Sequence, residues 1–149
     1  MSHCRLVGAL TACIVVAACA DVPLPANDPT LNASAADVLA GHRYIGLCGI
    51  HPILTDFKKG PDKTLQVDFY TSAKDEFANK MVTDSKGLGS RKNFPVIVSK
   101  KGSDTQLDVA HSGGVYTFRY TAGDVTHLRG ECGDNNNSKP WPMSVERRG

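Results

Sequence analysis

The chain has 149 residues, 41% hydrophobic and 21% charged, with 17 Lys and Arg against 15 Asp and Glu. That length holds one domain around a single core, and the composition excludes both a disordered tail and a multi-pass membrane protein. A net charge of +2 excludes a dedicated nucleic-acid binder, which presents a far more basic face.

Residues 1–18 read as an export signal. Arg5 supplies the positive start, and the run from Leu6 to Ala18 carries no charge. The run is too short to span a bilayer and ends in small residues. Two cleavage sites compete at its end. Val16-Ala17-Ala18-Cys19 resembles the lipobox of bacterial lipoproteins, in which the Cys is acylated and becomes the first mature residue. Ala18-Cys19-Ala20 instead fits an ordinary signal-peptidase site and would release a soluble protein beginning at Asp21. The lipobox is the stronger reading, because a Cys at that position serves no ordinary secretory purpose. Several acyl chains on Cys19 would anchor the protein stably, where one chain holds only marginally. In that family an Asp directly after the Cys retains the protein in the inner membrane of enteric bacteria. Here that position is Ala20, so the resemblance implies an outer-membrane anchor facing the periplasm.

Removing residues 1–18 takes away Arg5 and no acid, leaving 16 basic residues against 15 acidic. It also removes Cys4 and Cys13, and with Cys19 lipidated only Cys48 and Cys132 remain. In an oxidising compartment those two are expected to form a disulfide. Closing so long a loop contributes on the order of 4 kcal/mol in the chain-entropy description.

Residues 19–41 follow as a lipidated Cys and a tether, extended by Pro23, Pro25 and Pro29. Residues 34–40 add a turn or two of helix, with Ser34 as N-cap and Gly41 as stop. Residues 42–149 then form the β-domain. Leu65, Val67 and Phe69 alternate with polar residues, as do Phe94, Val96 and Val98, then Leu107 and Val109. Tyr116, Phe118 and Tyr120 share one strand face, and Trp141, Met143 and Val145 mark a closing strand. Tyr44–Cys48 and Val125–Gly130 complete the set. Lys101–Asp104, Ser112–Gly114 and Ala122–Asp124 carry turn chemistry, so residues 94–130 read as an antiparallel meander. One interruption is helical in pattern: Ser72 with Asp75 and Glu76 resembles a cap, Ala73, Phe77 and Met81 share a face, and Gly87 ends the run. Asp134–Ser138 is a polar loop. The fold class expected is mainly β, a small antiparallel β-barrel or sandwich with one flanking helix.

No catalytic constellation stands out, so the chain reads as a non-enzyme. His42, His51, His111 and His127 lack the spacing of a helical metal site, although His111 and His127 would meet if their strands were neighbours. Ser90 and Ser112 are Gly-flanked but lack the strand–turn–helix context of a nucleophile elbow. Asp75 and Glu76 suit the first turn of a helix better than an acid–base pair. Gly87-Leu88-Gly89-Ser90 lacks the ending of a phosphate loop. No metal and no cofactor are expected.

What remains is a tethered, disulfide-bonded β-domain, which points to a binding module whose partners are another protein and, through the lipid, the membrane. Ser112-Gly113-Gly114-Val115-Tyr116 resembles the Ser-Gly-x-x-Tyr motif of C-type lysozyme inhibitors, small periplasmic β-barrels that are often lipoproteins. In that family a Lys-Gly follows on a later turn, two cysteines bridge the domain, and the Ser and Lys enter the lysozyme active site. The resemblance therefore implies an inhibitory contact at Ser112, with Gly113, Tyr116 and Arg129 as further candidate partner-binding residues. Arg129-Gly130 stands where the family has Lys-Gly, at wider spacing and without the preceding Trp. The functional expectation is an envelope lipoprotein that binds a cell-wall hydrolase or an incoming toxin. The alternative is a structural or accessory lipoprotein of an outer-membrane or secretion assembly.

Overall fold

A computed structural model describes residues 23–133 and 139–149. The export segment with Cys19, and the polar loop at 134–138, lie outside the described residues. Among the described residues one α-helix, α1 (Pro29–Leu39), precedes nine strands: β1 (Arg43–Cys48), β2 (His51–Lys59), β3 (Leu65–Thr71), β4 (Gly89–Pro95), β5 (Ile97–Lys101), β6 (Asp104–His111), β7 (Gly114–Thr121), β8 (His127–Cys132) and β9 (Trp141–Arg148).

All nine strands form one antiparallel sheet in the order β4-β3-β2-β1-β9-β8-β7-β6-β5. A single sheet settles the choice between barrel and sandwich in favour of a curled half-barrel. The curl is visible in the core, where Phe69 of β3 meets Tyr116 and Phe118 of β7 at ring-centroid distances of 4.9 and 6.2 Å. Phe57 joins them, edge-on to Tyr44 at 5.6 Å and to Phe118 at 5.9 Å. Such edge-to-face pairs add stability beyond the apolar area they bury.

The two edge strands are one residue apart in the chain. Phe94, Val96 and Val98 alternate as the sequence predicts, but the extended run changes partner at Val96, pairing with β3 before it and β6 after it. The seam this leaves is closed from the N-terminal side. The Asp28 amide donates to the Val98 carbonyl at 2.8 Å, and the Val98 amide donates to Asn27 Oδ1 at 3.0 Å. Buried Asn32 donates from Nδ2 to the Val96 carbonyl at 2.8 Å and accepts the Leu65 amide on Oδ1 at 2.7 Å.

The helix that does this begins earlier than the sequence predicts. Asp28, not Ser34, is the N-cap, its Oδ1 accepting the amides of Thr30 and Leu31, with Pro29 at the first helical position. Gly41, at φ 84°, ends the helix as expected. Asn32, Ala35, Ala36 and Leu39 form its buried face, so residues from Asn27 onward belong to the folded unit rather than to a tether ending at 41.

The helix expected over residues 72–87 is absent. Asp75–Phe77 makes a single 3₁₀ turn, and Ser72 accepts the Lys74 amide in a local turn instead of capping a helix. Asn79, at φ 58°, breaks the run and gives its amide to the Ile50 carbonyl at 2.7 Å. A contact to the β1–β2 hairpin thus outweighs a weak helical pattern. Strand β2 escaped the sequence pattern because Pro52, Ile53 and Leu54 are consecutive buried residues that interrupt alternation.

Candidate functional site

The register assigns each side chain to the inside or the outside of the half-barrel, since directly paired residues share a face. At the end away from α1, Cys48 pairs with His51, Cys132 with Trp141 and with Tyr116, and Phe69 with Arg91. Cys48, Cys132 and Phe69 are buried in the core. Their partners therefore also face inward and line the mouth of the half-barrel.

Cys48 and Cys132 are placed as a disulfide, with Cα atoms 6.0 Å apart. They sit on the two strands that flank β9, so the bridge draws β1 and β8 together across β9 at this end. A cleft of about 260 Å³ opens beside it, its walls including His51, Ser72, Arg91, His111, Tyr116 and Trp141. Trp141 is 39% exposed on the rim, and Ile50, at the tip of the adjoining hairpin, is 50% exposed.

The polar floor of the mouth is organised around His111. Its Nδ1 accepts from Arg91 Nη1 at 2.8 Å and from the Gly113 amide at 3.0 Å. Two donors on Nδ1 assign the ring proton to Nε2. The His111 ring also lies 4.4 Å from the Tyr116 ring. His51 packs its ring 5.6 Å from Trp141.

The sequence-predicted residues divide into two groups. Ser112 and Gly113 form the two-residue tip of the β6–β7 hairpin, where His111 pairs with Gly114, and with Tyr116 they stand at the mouth. Arg129 does not join them. It pairs with Arg119 on the outer wall, five residues along β7 from Gly114, or roughly 17 Å at 3.3 Å per residue. There it lines a second cleft of about 410 Å³ that mixes Asp104, Asp124 and Glu131 with Arg119 and His127. Gly130 has a packing reason of its own: a Cβ there would overlap the Thr117 carbonyl oxygen. Gly46 on β1 is under the same constraint from the Ser144 carbonyl.

His111 and His127 lie at opposite ends of their strands, and β6 and β8 are separated by β7. Among the described residues no three His, Cys, Asp or Glu side chains are grouped to hold a metal ion. His127 instead pairs with Glu146 at 2.9 Å.

Arg91, Trp141 and His51 are site residues that sequence reasoning missed. Trp141 was legible as an inward strand residue, but not as a rim. Arg91 was hidden by a β-bulge. Phe94 pairs with Val67, yet Arg91 rather than Lys92 pairs with Phe69. The extra residue reverses the alternation, and Asn93 at φ 64° takes up the bend. Asp68 holds the bulge, accepting the Asn93 amide at 2.7 Å and pairing with Lys58 at 2.7 Å.

No protein-family model, no curated protein and no solved structure matches this chain.

Proposed function

We propose that the protein is a non-enzymatic envelope lipoprotein, anchored through Cys19, whose half-barrel binds another protein at its open end. The carrying observation is the concentration of exposed apolar side chains, Trp141 and Ile50, around a cleft at the disulfide-braced mouth. Exposed Trp residues at the edge of a pocket are typical anchors of protein interfaces. Ser112, exposed at the tip of the β6–β7 hairpin, projects beside that rim, which favours a hydrolase of the lysozyme type as the partner to test first. Arg129, outside the mouth, is not a second contact of the same surface.

The test immobilises the oxidised protein and passes a C-type lysozyme over it. Retention that Ser112→Trp or Trp141→Ala abolishes, with the near-ultraviolet circular dichroism unchanged, supports an inhibitor. Failure to retain lysozyme, with stoichiometric co-purification of a large envelope complex, favours the accessory lipoprotein instead. Robust turnover of a cell-wall substrate by the purified protein overturns both.

A further inference from the structure

We infer that the mouth is a carboxylate slot, in which Arg91 receives an Asp or Glu side chain projecting from a protein partner. The inference rests on the proposed binding role of the open end and names the chemistry that end recognises.

Arg91 occupies a strand position that the register turns inward, opposite buried Phe69. Arg91 is nevertheless exposed, since its strand is an edge of the sheet, so its guanidinium stands at the cleft within reach of a partner. Its orientation is fixed by the bulge: without Asn93 as the extra residue, Lys92 would stand opposite Phe69. The bulge is itself held, since Lys58 Nζ donates to Asn93 Oδ1 at 2.6 Å and Asp68 accepts both Lys58 and the Asn93 amide. Bulges beside functional sites commonly re-aim one side chain in this way.

Among the described residues the cleft wall contains Arg91, His51 and His111 and no carboxylate. Arg91 makes no ion pair among the described residues, and its one hydrogen bond there goes to the His111 imidazole. That bond engages Nη1 and leaves the opposite edge of the guanidinium for a planar, two-oxygen acceptor. A carboxylate is the group that fits such a fork. Arg43 on β1 shows the contrast: it is already satisfied by Asp56, with both contacts at 2.7 Å. At about 260 Å³ the cleft suits one inserted side chain rather than a drug-sized ligand, whose pockets run larger.

The experiment is an NMR titration of the oxidised protein with the blocked tripeptide acetyl-Gly-Glu-Gly-amide, using acetyl-Gly-Gln-Gly-amide as the uncharged isostere. The expected result is a saturable shift of the Gly113 amide and the Trp141 indole with the Glu peptide. The Gln peptide should bind at least tenfold more weakly. Arg91→Met keeps the apolar stem and should weaken Glu binding at least tenfold, Arg91→Lys should retain part of it, and Arg119→Met on the outer wall should leave it unchanged. Equal binding of the two peptides, binding that survives Arg91→Met in a folded protein, or no shift with either peptide each overturns the slot. If the slot fails while Trp141→Ala still abolishes lysozyme retention, the binding role of the mouth stands without it. If neither variant affects any partner, both readings fall.

Discussion

The two ends of the half-barrel are built from opposite materials. At one end α1 lies over the seam, and Asn32 supplies three hydrogen bonds, to Leu65, Val96 and Asn27, from within the core. Tyr44 adds another, donating its hydroxyl to the Val125 carbonyl at 2.6 Å. At the other end a covalent bridge takes the place of a plug, and the cleft beside it keeps Trp141 and Ile50 in water. A closed end satisfies its polar groups internally and can be left alone by solvent and partners. An end braced by a disulfide does not need its apolar rim for folding, so the rim is available for recognition.

The sharpest way to break that contrast is at the closed end. Asn32→Ala would strand the Leu65 amide and the Val96 carbonyl without partners in the interior. The expected loss is roughly 3–5 kcal/mol, since each unsatisfied buried backbone group costs about 1–3 kcal/mol. Urea denaturation measures it, and a change under 1 kcal/mol would mean the plug does not hold the seam.

Removing the bridge comes next. The double variant Cys48→Ala, Cys132→Ala should lose about 2–4 kcal/mol while α1 stays protected from hydrogen exchange in the folded state. Protection lost first over α1 would reverse the assignment of roles.

A pH effect sharpens the closed end further. Burial pushes the Tyr44 hydroxyl up to about 12, with the Arg147 charge partly opposing it. Unfolded tyrosine ionises near 10, so between those values the native state holds a proton that the unfolded state releases. Stability is therefore full below pH 10 and falls as pH rises toward 12. Tyr44→Phe should flatten that fall and lower stability at neutral pH by about 1 kcal/mol through the lost hydrogen bond. Parallel alkaline curves for the two proteins would count against it.

The smallest stability effect is expected at the rim. Trp141→Ala should change stability by less than about 1 kcal/mol, because exposed positions carry little folding energy, while abolishing partner binding. A larger loss of stability would make Trp141 part of the core.

The strands were mostly legible because period-two alternation reports a half-buried sheet, and Tyr116, Phe118 and Tyr120 show it plainly. What the sequence concealed has three physical causes. Consecutive buried residues in β2 erase alternation, a single extra residue at Asn93 reverses it, and tertiary contacts override weak local signals, as at Asn79. The start of α1 was recoverable, since Asp28-Pro29 is a stronger cap than Ser34. At the candidate site, Ser112, Gly113 and Tyr116 fall together because one hairpin carries them. Arg129 falls elsewhere because sequence spacing does not report which wall of a sheet a residue faces.

Site-specific photocrosslinking from the two ends is the most direct discriminating measurement. A benzophenone side chain replaces Trp141 at the mouth in one variant and Val38, an exposed apolar residue of α1, in another, each expressed in the native envelope. A discrete protein adduct from position 141 and none from position 38 is the expected result. An adduct from position 38 alone, or none from either, would contradict recognition at the open end.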